Sequence, residues 1–152
     1  MIRRYGKTPI QWMDDIGALG EHTIIGHGIF LDHHPWLHWS TWNDLGLIAD
    51  NGVKVAHYPT VFMRQGIVLQ TFGGYLKAGI NMGIGTDTYP HNSLKEIRNA
   101  GTVARAVAGT VHDLNTSNIF NAATIGGANA LKRDNIGRLA VGAPRWISCW
   151  LI

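Results

Sequence analysis

The sequence predicts an α/β fold built on parallel strands, and three observations carry that prediction. Short apolar segments alternate in series with helical segments, the pattern of consecutive βα units. The segments read as strands are near-continuously apolar rather than alternating, as expected where both faces of a sheet are covered. Each of the three strands also ends on a chemically capable residue: His27, His57 and Asp87, with 30 residues between successive ends. In open α/β sheets and in (β/α) barrels alike, ligands sit beyond the carboxyl ends of the strands.

The elements follow in order. Thr8 and Pro9 form a cap and first-turn pair, and Ile10, Met13, Ile16 and Leu19 recur at helical spacing, so a helix is expected over residues 9–19. "HTIIGHGIF" supplies the first strand, ending near His27. The loop "LDHHPWLHW" follows, and then a helix capped by Ser40 or Thr41 and stopped by Gly52. "VKVAH" is the second strand, ending at His57. "YPTVFMRQG" reads as a loop and "IVLQTFGGYLKAG" as a helix weakened by two central glycines. "INMGIG" is the third strand, stopping just before Asp87, and "SLKEIRNAGTVARAVAG" a long helix capped by Asn92 or Ser93. In the last third, Thr116 or Ser117 caps "NIFNAATIGGANAL", whose small residues imply close helix packing, and "DNIGRLAVGA" reads as a turn and a short strand.

Composition narrows the functional classes. With 152 residues, 45% of them hydrophobic and 15% charged, the chain suits one compact domain. Its formal charge of +3 is carried by scattered residues such as Arg3, Lys7, Lys132 and Arg138, with no basic stripe, so no nucleic-acid partner is expected. The single cysteine, Cys149, has no internal partner, and no signal-peptide pattern is present, so a reducing, cytoplasmic setting is expected. No apolar run approaches the roughly 20 residues of a membrane helix, so no membrane partner is expected.

Imidazole nitrogen and carboxylate oxygen are both good ligands for first-row divalent metals, so His27, His57 and Asp87 could converge on one ion. Strand-end histidines also hydrogen-bond backbone carbonyls in ordinary cores, and spacing alone leaves both roles open. Asp32, His33, His34 and His38 form a second metal candidate. Their irregular spacing among Pro35, Trp36 and Trp39 fits a substrate-facing lid or loop packing better. Neither GxSxG nor a strand-borne GxGxxG occurs, which argues against a serine nucleophile elbow and a phosphate cradle.

Four stretches, "GHGIFLDHH", "VAHYPTVFMRQG", "MGIGTDTYPHNSLKEIRNA" and "FNAATIGGANAL…DNIGRLAVGA", resemble in this order the strand-six to strand-eight portion of the amidohydrolase superfamily. The nearest branch is that of cytosine deaminase, S-adenosylhomocysteine deaminase and the triazine chlorohydrolases. "PTVF", where deaminases commonly carry "PxSN", leans toward the triazine side. The resemblance implies that residues 1–143 are the C-terminal part of a (β/α)8 TIM barrel, about three βα units plus trailing helices. It also implies one divalent metal, zinc or iron, held by a His-x-His pair, a further His and a final Asp.

Carried over by motif, Asp87 is that last metal ligand and the proton shuttle, and His27 is the catalytic residue that polarises the attacked centre. His57, Thr60, Thr86, His91 and Asn92 would face the substrate or support those two. The implied reaction is hydrolysis of a C–N or C–Cl bond on a small purine, pyrimidine or triazine-like heterocycle by metal-activated water. No His-x-His occurs in the chain. The expectation is therefore a fragment that binds metal poorly and is inactive alone, needing a complementary N-terminal fragment. The alternative is a non-catalytic α/β module that forms homo-oligomers through open strand edges. Residues 144–152, "PRWISCWLI", depart from the family pattern. Read in a shifted frame, one permitted codon choice gives a strand-like Ala-Glu-Val-Asp-Phe-Val-Leu-Val-Asp, so this tail is expected to be a frameshifted start of a β-sandwich strand.

Overall fold

A computed structural model describes residues 2–39 and 41–143, so the expected frameshifted tail at 144–152 and the candidate cap Ser40 lie outside the described residues. The chain opens with a one-turn helix, α1 (Ile2–Tyr5), followed by α2 (Pro9–Asp15). Thr8 caps α2 through a reciprocal box in which its hydroxyl accepts from the Gln11 amide and the Gln11 side chain accepts from the Thr8 amide. Three strands follow: β1 (Ile24–Gly26), β2 (Lys54–His57) and β3 (Met82–Ile84). They form one parallel sheet in the order β1-β2-β3. The expected α/β architecture of three parallel βα units with trailing helices is what the chain forms.

Register aligns the functional ends. Gly26 pairs with Ala56 and His57 pairs with Ile84. The ladder runs one residue further at each junction, with the His27 amide donating to Ala56 O at 2.7 Å and the Gly85 amide donating to His57 O at 3.0 Å. Burial is greatest in β2 and β3, where Val55 and Met82 are buried. β1 departs from the expectation of a strand covered on both faces, since Ile24 is 41% exposed at this outer strand.

The helices pack the sheet from α3 (Asp44–Asp50), α4 (Pro59–Met63), α5 (Phe72–Lys77) and α6 (Ser93–Ala108). Two of these correct the sequence reading. The expected loop after β2 is the short helix α4, started by Pro59 in its first turn. The expected helix from residue 67 begins only at Phe72, because Thr71 is its cap and Ile67 and Leu69 are buried in a segment of alternating burial. α2 likewise ends at Asp15 rather than 19, and α3 is capped at Asn43 rather than at Thr41. α6 runs as predicted from its Asn92 cap to a left-handed Gly109.

Beyond α6 come α7 (Thr116–Asn121), a π-helical turn at Ala122–Gly126 and α8 (Gly127–Ala130). The α7 cap is Asn115, one residue ahead of the expected Thr116. The predicted strand in "DNIGRLAVGA" is absent among the described residues, and Leu139 and Val141 stand exposed with no partner strand. Close helix packing is present as expected. A Cβ on Gly126 would overlap the Met82 carbonyl oxygen, so only glycine lets the π-turn lie against β3. At the centre of the core are Tyr75, Phe72, Ile48 and Val55, with the Tyr75 hydroxyl donating to Gly28 O. Among the described residues no helix is long and apolar enough to cross a membrane.

Candidate active site

Two residues just beyond different strands meet at the carboxyl edge of the sheet, His27 directly after β1 and Asp87 on the loop after β3, which ends at Ile84 rather than next to Asp87 as expected. His27 Nε2 lies 3.1 Å from Asp87 Oδ2, with the histidine side chain one-quarter exposed and the carboxylate about half exposed. Both sit in the left-handed backbone region, at φ 64° and 41°. For a residue with a Cβ this conformation costs about 1–2 kcal/mol. Strain of this kind persists where the surrounding structure enforces it, and it concentrates at functional sites. Here the enforcement is visible. The His27 amide is held by Ala56 O, and the adjoining Gly28, also left-handed, leaves no room for a Cβ against Val55.

Aromatic side chains wall the histidine. Tyr58 and Phe62 approach the His27 ring edge-on at centroid distances of 4.9 and 4.6 Å. The row continues from Phe62 to Phe30 at 5.7 Å, and from Phe30 to His34 at 5.0 Å and Trp36 at 6.4 Å. His57 lies beneath, 4% exposed, with its ring 5.8 Å from Phe72. Burial pulls its pKa down to about 4, opposed by a contact with the His27 backbone. The Nδ1 atoms of both His27 and His57 are buried without a protein hydrogen-bond partner.

The remaining predicted site residues divide into two groups. Thr86 and His91 face each other on the exposed loop after β3, with Thr86 Oγ1 2.9 Å from His91 Nδ1. Asn92 caps α6 by accepting from the Lys95 amide at 2.9 Å. Thr60 is buried. Its amide donates to Glu96 Oε2 at 3.0 Å, and its hydroxyl accepts from Asn99 Nδ2 at 2.9 Å. Glu96, which the sequence reading missed, thus places a carboxylate at the N-terminal end of α4, where the helix dipole favours negative charge. The one available signal was an acidic residue in the first turn of α6 on its buried side.

The second candidate metal cluster has structural duties. Asp32 Oδ2 accepts from Thr41 Oγ1, the Asn43 amide and the Asp44 amide at 2.8, 2.6 and 3.1 Å, so it caps α3 from eleven residues upstream. Asp44 in turn accepts from Thr8 Oγ1 and the Asp32 amide, and burial raises its pKa. His34 Nδ1 accepts from the Trp36 amide at 3.2 Å, while His33 stacks on Trp42. Burial lowers the pKa of both histidines, with Asp32 opposing it at His33.

Among the described residues, no group of three or more His, Cys, Asp or Glu is arranged to hold a metal ion. A catalytic zinc takes three protein ligands and an open position. The His27–Asp87 pair offers two donor atoms, and His57 does not complete a set with them. Among the described residues a three-ligand set is therefore not assembled.

In barrels and open α/β sheets alike, binding and catalytic residues lie beyond the carboxyl ends of parallel strands, where this chain places His27 and Asp87. The amidohydrolase family profile matches residues 1–151, and the chain belongs to that family. A 5-methylthioadenosine/S-adenosylhomocysteine deaminase of Thermococcus onnurineus is 35% identical over 133 residues, a match covering 84% of this chain and 29% of the relative. The crystal structure of a zinc-bound adenosine deaminase from Xanthomonas campestris superposes with a TM-score of 0.76 at 29% identity, covering 90% of this chain and 30% of that one. The zinc complex of the atrazine chlorohydrolase TrzN from Arthrobacter aurescens superposes with a TM-score of 0.73 at 25% identity, covering 90% and 29%. The chain thus spans about three-tenths of the length of the proteins it matches.

Proposed function

We propose that this chain forms part of a metal-dependent hydrolase that cleaves a C–N or C–Cl bond on a purine, pyrimidine or triazine-like ring. The observation that carries the reading is the 3.1 Å approach of His27 Nε2 to Asp87 Oδ2 at the ends of two strands, in a deaminase and chlorohydrolase lineage. In such enzymes a divalent metal makes water nucleophilic at neutral pH by lowering its pKa from 15.7 to about 7. Asp87 is the proposed single metal ligand from this chain, and the other ligands come from residues outside the described set.

The work of the chain's own residues can be stated at the atoms. As the attacking water oxygen bonds to the ring carbon, Asp87 takes its proton; in C–N cleavage it passes that proton to the departing nitrogen, and in C–Cl cleavage chloride departs as the anion and Asp87 releases the proton to solvent. His27 faces the same carbon and stabilises charge developing on the ring, an electrostatic role that removes the need for solvent to reorganise. Tyr58 and Phe62 exclude water from one side of the pair. His57 supports the strand ends from below, Thr60 ties α4 to α6 through Glu96 and Asn99, and Thr86, His91 and Asn92 shape the loop that carries Asp87.

The test is reconstitution. The purified chain is expected to retain less than one metal ion per chain and to release neither ammonia from adenosine nor chloride from atrazine. Adding a polypeptide that carries the family's His-x-His strand should restore turnover with one of the two. His27→Asn and Asp87→Asn should each then lower kcat at least about 100-fold, in the range that a positioned acid or base contributes. Stoichiometric tight metal and turnover by the chain alone, or restored turnover indifferent to Asp87→Asn, refutes the proposal. A second reading, an interaction module assembling through strand edges, is favoured by β1 and β3 each pairing on one side only among the described residues. Gel filtration showing a folded monomer argues against it.

A further inference from the structure

Tyr58 lies just past β2, the middle strand, and its ring reaches across to both outer strands. One ring edge faces Gly26, the last residue of β1, and the opposite edge faces Gly85, the first residue beyond β3. Glycine at 85 is what admits the ring. A Cβ there would stand 2.7 Å from Tyr58 Cε1 and 3.0 Å from Cδ1, closer than packed atoms approach one another. At Gly26 a Cβ would stand 3.8 Å from Cε2, an ordinary contact. The next residue after Gly26 is His27, whose imidazole the Tyr58 ring meets at a centroid distance of 4.9 Å and an interplanar angle of 73°. Asp87 stands two residues beyond Gly85. Tyr58 therefore touches the segments that carry both members of the pair. Its own seat is firm. It is the N-cap of α4, directly before Pro59, and α4 is tied to α6 by the Thr60 amide donating to the buried Glu96 carboxylate.

The structure assigns Tyr58 as a positioning residue, a wedge between the ends of β1 and β3 that fixes the approach of His27 Nε2 to Asp87 Oδ2. The Asp87 side chain is about half exposed and little constrained by packing, so the alignment of the pair depends on the histidine. The imidazole turns about two side-chain torsions, and its neighbours decide which staggered arrangement it keeps. Tyr58 limits that rotation on one flank, and Phe62, at 4.6 Å and 89°, on a second. Both come from the segment that follows β2, which also sets the register of the two outer strands. The contacts of Tyr58 with Gly26, Gly85 and His27 are all made by its ring, so ring volume rather than the hydroxyl carries the role. The inference rests on the proposed reaction at His27 and Asp87 for its effect on turnover, because a misplacement of about 1 Å at reacting groups can cost about 100-fold in rate.

The experiment reads the contact within the pair as the shift that Asp87→Asn produces in the His27 imidazole NMR signals of the purified chain, repeated in each variant background. The shift should be present in the parent and in Tyr58→Phe and lost in Tyr58→Ala. Gly85→Ala, which drives a Cβ into the ring while Tyr58 itself is unchanged, should lose it too and have no further effect on the His27 signals once Tyr58→Ala has removed the ring. Gly26→Ala should retain it. A role in stability alone would move urea unfolding midpoints and leave the Asp87 shift in place. In the reconstituted enzyme, Tyr58→Ala should lower kcat at least about tenfold with KM within about threefold of the parent, and Tyr58→Phe should restore kcat. Retention of the shift in Tyr58→Ala, or its absence from the parent, overturns this inference. Equal loss in Tyr58→Phe and Tyr58→Ala overturns the assignment to the ring. Loss of the shift in Tyr58→Ala and Gly85→Ala with kcat unchanged supports the wedge and overturns the placement of the reaction at His27 and Asp87.

Discussion

His57 sits at the end of β2 with its carbonyl accepting from Gly85 and its imidazole 4% exposed, and burial holds its pKa at about 4 against an ordinary histidine value of 6.5. Above pH 6.5 the ring is neutral in both folded and unfolded chains, so it contributes no pH dependence. Below that the unfolded chain binds a proton that the folded chain refuses, and stability falls until the folded ring itself protonates near pH 4. A gap of about 2.5 pH units corresponds to a loss of about 3 kcal/mol across this window, and to about 1.4 kcal/mol already at pH 5.5. Other groups contribute to the same profile. His33 and His34, also lowered by burial, act in the same direction, whereas Asp44, raised by burial, stabilises the fold as pH falls. The decisive quantity is thus a difference. In urea unfolding of the parent and of His57→Gln at several pH values from 7.5 to 4, the parent should lose about 3 kcal/mol relative to the variant. A difference curve that stays flat refutes the claim that burial keeps this ring neutral. The functional corollary is that His57 puts no positive charge beneath the His27 ring at pH values between about 4 and 6.5.

Three further outcomes follow from packing and capping. Gly126→Ala should destabilise thermal unfolding by about 1–3 kcal/mol through overlap with the Met82 carbonyl, while Gly127→Ala, with open space at its Cβ, should be neutral or stabilising; equal effects would contradict the close approach to β3. Asp32→Ala removes the acceptor of three donors at the start of α3 and should lower stability in urea by about 2–4 kcal/mol. Glu96→Ala strands the Thr60 amide and should lose about 1–3 kcal/mol, whereas Glu96→Gln keeps an acceptor and should lose less than about 1 kcal/mol; the same loss in both would show that charge, not the bond, matters there.

How far this architecture could be read from sequence depends on the range of the interaction responsible. The three βα units were legible because each strand is a local apolar run and each junction ends in a polar residue, and the α6 boundaries because Asn92 and Gly109 act within one turn. α4 was not legible, since five residues are too few to show a helical period, and Pro59 signals a loop as readily as a first turn. The segment before α5 carried its signal in plain view. Burial alternates from Ile67 to Gln70, the mark of extended chain, but the apolar residues of this short run fit a helix as readily as a strand.

The candidate site divides the same way. His27 and Asp87 stand out locally as polar ends of apolar segments, but the contact between them depends on the register that β2 imposes on both neighbours. The roles of Asp32 and Glu96 are set by partners 9–12 and 36 residues away in the chain. No local pattern separates such a carboxylate from a metal ligand or a solvated surface acid. What separates them in the fold is hydrogen-bond demand. Asp32 Oδ2 is occupied by three donors and Glu96 Oε2 by one, while Asp87 is about half exposed and its Oδ2 faces the imidazole of His27. Of these three carboxylates, Asp87 is therefore the one with hydrogen-bond capacity left open to solvent, which supports the proton-exchange role proposed for it.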